Sequence, residues 1–337
     1  MKQKRLLSMF ALLLMAATGA WAQAQTYKVT LQEGTEDATN WTVPAEAAAG
    51  SPVTATYNGS KKVKSVKAVK KNTAYAANEY NKGSWNSTLK KVEFTKKTAD
   101  ATPTVLTDQT TWQYAWYTVS GNVTINGKVT LTNDVNLILQ DGATLTINGQ
   151  LDCWTNHKNL NIYGQDKGDG KLNVSYSDNM NGTAIYGNWE TILEIHGGEI
   201  TAAAIGDTGM GLEIDHFKMY GGKLTSTSKN NPGIQFTRDF EVYGGEVVGT
   251  TNSTSYPSNG IYGTNGSLIV YGGKVKATGN GINDTEYYDY GSGFGCKVQS
   301  GTTGIKFYFS DDGTTWDSGT YYEAARTAPT NRYAKAE

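Results

Sequence analysis

The chain has 337 residues, with 30 lysines and arginines against 31 aspartates and glutamates, and 39 glycines against 6 prolines. Its charge is uneven: residues 26–99 hold 12 lysines and 6 acids, whereas residues 100–337 hold 15 basic and 25 acidic side chains, which excludes a nucleic-acid footprint on the larger part. Two cysteines, Cys153 and Cys296, are too few for a disulfide framework.

In chain order, Lys2, Lys4 and Arg5 precede the apolar run LLSMFALLLMAATGA, and AWAQA then offers cleavage after Ala22 or Ala24. This is the pattern of a secretory signal peptide over residues 1–24, and its apolar core is shorter than the ~20 residues of a membrane span. No second apolar stretch of spanning length follows, so the mature chain is expected to be exported to the periplasm, cell surface or exterior. Residues 26–100 read as a small all-β, sandwich-like domain. TYKVTL, NWTV, PVTATY and KVKSVKAVKK are strand-like, PAEAAAG and NGS are turns, and NTAYAANEYNKGSWNST is a looser stretch before a last strand near Leu89–Phe94. The lysines at 61, 62, 64, 67, 70 and 71 suit a solvated strand face.

From about residue 118 apolar and polar residues alternate, the period of half-buried strands. Four glycine pairs then recur, with second glycines at 198, 222, 245 and 273, and Leu160–Val174 is an earlier copy with its glycines split. A period in the twenties indicates a solenoid. Each copy has three strand pieces: an alternation before the glycines (Leu193/Ile195, Phe217/Met219, Phe240/Val242, Leu268/Val270), one after (Ile200, Leu224, Val247, Val275), and a third around Ile185, Ile205, Ile234, Ile261 and Ile282. Residues 118–300 are therefore expected to form a right-handed parallel β-helix, and residues 301–337 a strand cap over its end. Lys171, Glu199, Lys223, Glu246 and Lys274 alternate in sign at one position of the repeat, as do Glu194, Lys218 and Glu241 at another. In-register coils ~4.8 Å apart would turn both columns into attractive ladders. Five or so such coils would hold Cys153 and Cys296 ~25 Å apart, beyond the reach of a disulfide.

Two candidate sites follow. Tyr163, His196, Tyr220, Tyr243 and Tyr271 should stack outward along one face, a flat aromatic strip suited to sugar rings or to stabilising the solenoid. Tyr186, Phe236 and Tyr262 form a weaker second column. The catalytic alternative lies where Asp215–His216 meets Arg238–Asp239 one coil later, a pairing with acid/base potential that also continues the charge ladder. No zinc spacing, phosphate loop or nucleophile elbow occurs, so no metal or cofactor is expected.

On DGATLTI, NLNIYGQDKGDGKLNV and AAIG, residues of about 120–300 resemble the secreted right-handed β-helix proteins of gut commensal bacteria often labelled carbohydrate-binding-domain-containing. The GIGGG-like coil ends of that family are here AIGD and GIYG, and residues 27–71 are similar to a small β domain of surface proteins in the same bacteria. The resemblance implies a non-catalytic exported protein whose partner is a glycan or polysaccharide, in carbohydrate recognition or cell-surface adhesion. The alternatives are a β-helix polysaccharide lyase or glycoside hydrolase, and a purely structural surface protein.

Overall fold

The structure, a computed structural model, describes residues 26–28, 38–44, 46–48, 55–60, 75–177, 182–253, 258–280 and 292–337. The signal-peptide region, the lysines at 61–71 and Ile282 lie outside them. The chain divides into two compact units, Met1–Thr73 and Ala74–Glu337. In the first, Thr26–Lys28 pairs antiparallel with Glu46–Ala48, and Trp41–Thr42 with Thr56–Tyr57, where the Trp41 and Tyr57 rings sit 5.0 Å apart. Glu46–Ala48, read from sequence as a turn, is a strand.

The second unit is a right-handed parallel β-helix. Each coil contributes one rung to each of three parallel stacks. In the best-defined coil the first-stack rung is Ile192–Ile195, the second Glu199–Ala204 and the third Leu212–Ile214. The pairing is in register along the solenoid: Leu160, Leu193, Phe217, Phe240 and Leu268 lie in one line, and Leu172, Ile200, Leu224, Val247 and Val275 in another. Both lines are buried, and with the third-stack Ile185, Leu212, Ile234 and Ile261 they form one continuous apolar core. The first and third stacks merge near the end, where Ile261–Val270 runs from one into the other.

The corner between the first and second rungs explains the glycine pairs. The second glycine of each takes a left-handed φ, 90° at Gly198 and 84° at Gly245, and a Cβ on Gly245 would meet the Gly222 carbonyl oxygen at 2.6 Å. Beyond the corner, Lys171, Glu199, Lys223, Glu246 and Lys274 align in the expected ladder, with Lys171–Glu199 at 2.9 Å and Lys223–Glu246 at 3.3 Å. The second ladder is also present, with Lys218 Nζ 3.8 Å from Glu241.

Four details depart from the sequence reading. The parallel rungs begin at Thr104–Val105 and Thr111–Trp112, well before residue 118. Ile205 is exposed rather than inward, because Ile200, Ala202 and Ala204 already face the core and period two turns the next residue out. The third rung of that coil is Leu212–Ile214 instead. Phe236 points into the core, leaving Gln235 outward beside Tyr262. Finally, Glu79–Asn86 and Lys91–Thr98 form an antiparallel hairpin within the solenoid unit, although the sequence placed residues 75–100 in the preceding domain.

At the far end Tyr333–Ala336 pairs antiparallel with Lys274–Thr278, and Phe307–Ser310 adds outside it. Arg326–Thr327 caps Phe294–Ser300 in the same way. Strands therefore lie along this end of the solenoid. Cys153 and Cys296 are buried and unbonded.

Candidate functional site

The aromatic column forms as a stack. Successive ring centroids of Tyr163, His196, Tyr220, Tyr243 and Tyr271 are 4.7, 4.8, 5.0 and 4.5 Å apart, with planes within 15° of parallel. It follows directly from placing one ring just before each glycine corner in coils that stack in register. Its outer face, however, is covered by the hairpin. Tyr80 lies 4.3 Å from the Tyr163 ring and 5.1 Å from Trp116, and Trp85 sits 5.7 and 5.6 Å from Tyr243 and Tyr271. Between them Gly83 passes so close that a Cβ would come 2.6 Å from Tyr220 Cβ, and its N–H donates to His196 Nδ1 at 3.2 Å. Gln165 ties the hairpin down, donating from Nε2 to the Ala76 and Glu79 carbonyls and accepting the Asp141 N–H. Tyr163 and His196 are buried and the other three rings half-buried. Burial pushes their phenols up, that of Tyr220 to about 12. Next to His196, whose Nε2 is 3.4 Å from Glu194, the Glu194 carboxyl is held below the usual range. The faces of the column are thus in contact with protein.

The acid/base candidates come together as the register requires, with roles visible in their contacts. Asp215, its side chain 3% exposed, has Oδ2 2.7 Å from the Glu190 N–H, which donates to it, and 3.4 Å from Arg238 Nε. Arg238 also reaches Glu190 at 3.8 Å, and His216 Nε2 is 3.9 Å from Asp215. The exposed Asp239 accepts the Ser267 N–H at 3.4 Å. Asp215 and Arg238 therefore hold a turn, Asn188–Glu190, rather than facing a cleft.

A different face carries open aromatic and polar groups together. On the third stack Asp152, Tyr186 and Glu213 are consecutive outward positions. Gln150, Thr183, Tyr186, Thr208, Met210 and Glu213 line a cleft of about 280 Å³ beside them. Trp154, 38% exposed, packs on Tyr186 with ring centroids 5.4 Å apart. Its turn is braced by Asp152, a fully buried carboxylate that accepts the Trp154 and Thr155 N–H groups at 2.9 and 3.0 Å, bonds the Thr155 hydroxyl, and meets Lys128 at 2.6 Å. Burial alone would raise the Asp152 pKa, but Lys128 and these hydrogen bonds hold it below the usual range. Glu213 differs. Burial raises its pKa, partly offset by the Thr183 hydroxyl at 3.4 Å, and it has no ion-pair partner among the described residues. Of the sequence candidates Tyr186 lines this cleft, and Tyr262 lies in the same outward line two rungs beyond Glu213. Trp154 and Glu213 occupy turn and strand positions that the repeat alignment does not single out.

Among the described residues no group of three or more His, Cys, Asp or Glu side chains is arranged to hold a metal, and no helix is long and apolar enough to cross a membrane. Comparison with known protein families, with curated proteins and with solved structures returns no match, so the geometry of the third-stack face carries the functional reading.

Proposed function

We propose that this is a non-catalytic exported protein of carbohydrate recognition or cell-surface adhesion, binding glycans on the third-stack face of its β-helix. The observation that carries the reading is the Trp154–Tyr186 pair standing beside a cleft lined by Gln150, Thr183 and Glu213. An aromatic face packs against the apolar side of a sugar ring, while an amide, a hydroxyl and a carboxylate match its hydroxyl groups. The similarity of the repeat to secreted β-helix proteins labelled as carbohydrate-binding supports the same reading. The hairpin-covered column is assigned to stability: each of its stacked pairs contributes ~0.5–1.5 kcal/mol beyond area burial.

A glycan array probed with the wild type, a Trp154→Ala/Tyr186→Ala variant and a Tyr220→Ala/Tyr243→Ala variant tests this. Binding should disappear in the first variant and persist in the second wherever that variant remains folded. Binding that survives loss of Trp154 and Tyr186, or no glycan binding by the wild type, would overturn the assignment.

A further inference from the structure

Trp189 is 70% exposed, and both it and Glu190 have left-handed backbones, with φ of 55° and 67°. Two consecutive non-glycine residues in that region are strained, and such strain persists only where surrounding contacts enforce it. The Trp189 N–H donates to Asn188 Oδ1 at 2.8 Å, and the Glu190 N–H to the buried Asp215 carboxylate at 2.7 Å. Arg238 then bridges Asp215 and Glu190. The core gains nothing from a ring held in solvent, so the bracing serves what lies outside.

The same device occurs one coil earlier, where buried Asp152 braces the turn that presents Trp154. Both turns follow a third-stack rung, so they lie at the same edge of that stack one coil apart. Trp154 packs on Tyr186, and Asn188 Nδ2 approaches Glu213 Oε1 at 3.5 Å, linking the Trp189 turn to the cleft. Tyr186 and Trp189 are three residues apart, at most ~11 Å between Cα atoms. Asp152 is matched by Lys128 and both Asp215 and Glu190 by Arg238, whereas Glu213 has no ion-pair partner among the described residues.

Resting on the carbohydrate reading above, we propose that Trp189 is a second aromatic platform beside Trp154–Tyr186, and that the site takes a neutral oligosaccharide of two or more rings. Hydroxyl groups donate to Glu213, one rung beyond Tyr186. A uronate or sulfated chain would bring its negative charge against Glu213, which has no ion-pair partner among the described residues.

The test is calorimetric titration of the whole mature chain with neutral gluco-, manno-, galacto- and xylo-oligosaccharides of one to six residues, and with oligogalacturonates of the same lengths. Affinity for at least one neutral series should rise with length, with none for the galacturonates. Trp189→Ala, at an exposed position, should weaken hexamer binding roughly fivefold to tenfold and leave monomer binding unchanged. Arg238→Ala should weaken it in the same length-dependent way with the ring retained. Hexamer binding unaffected by Trp189→Ala, or galacturonate binding equal to neutral binding, would overturn the proposal while leaving the carbohydrate reading intact if Trp154→Ala/Tyr186→Ala still abolishes it. If no series binds, both fall together.

Discussion

At the scale of single residues, carboxylates of one chemical type have different tasks set by their surroundings. Asp152 and Asp215 are buried, paired with Lys128 and Arg238, and accept two and one backbone N–H groups respectively, so they act as turn braces. The braced left-handed pair Trp189–Glu190 would otherwise cost ~1–2 kcal/mol per residue. Glu213 has the opposite environment, half-buried with no ion-pair partner among the described residues, and burial raises its pKa. A carboxyl whose folded pKa exceeds its unfolded one binds its proton more tightly in the native state. Its ionisation therefore removes stability as pH rises through the window from the ordinary carboxylate range to the raised value. Glu213→Gln should accordingly be more stable than wild type at pH 7, with the difference shrinking on acidification and gone below about pH 4. Urea denaturation at the two pH values checks this, and a Gln variant less stable at pH 7 would contradict it. Read through the coil register, the sequence already sets Asp215 against Arg238, whereas the Asp152–Lys128 pair lies ahead of the glycine-pair repeat and is not marked by it.

At the scale of elements, the rungs were legible and the hairpin was not. Inward residues of the first and second stacks follow from alternation around each glycine pair, and both charge ladders align as their signs require. The hairpin strand Glu79–Asn86 is hidden in sequence because its buried positions, Tyr80 and Gly83, sit among Asn, Lys and Ser and pack on an aromatic column instead of the apolar core. Two aromatics flanking a glycine in a polar stretch were the available signal. Gly83 is the sensitive point, since the column leaves no room for a side chain there. Gly83→Val should unseat the hairpin from Tyr220 and His196, costing about 1–3 kcal/mol as overpacking does. Denaturant titration followed by Trp85 fluorescence should show a lower midpoint and an early loss of the hairpin signal. Unchanged stability would mean that the hairpin does not rest on the column.

At the scale of the whole molecule, a solenoid must end each stack of unpaired backbone groups. The C-terminal segment does so by reversing direction: Tyr333–Ala336 lies antiparallel on Lys274–Thr278, and buried Ala334 and Ala336 close the core. Truncation after Ala325 would expose that edge, and edge strands with a free ladder pair with other chains. The truncated protein is expected to form concentration-dependent oligomers by light scattering where the full chain does not. A monodisperse truncated chain would show that the cap is dispensable. Among the described residues the hairpin covers the aromatic column and no such strand pair lies over the third-stack face, which is why the proposed glycan site is built on Trp154, Tyr186 and Trp189.

The sequence alone determined the coil: its period, its glycine corners, the line of inward residues, the ladders and the separation of the two cysteines. These are legible because each is repeated, and because neighbours in the solenoid sit one repeat apart in the chain. Only the tertiary structure decided that the aromatic column is covered. That cover rests on contacts outside the repeat, such as Gly83 with His196 across 113 residues and Gln165 with Glu79 across 86. A periodic pattern gives every coil the same outward ring, but whether that ring meets solvent depends on a non-repeating segment that folds back over it.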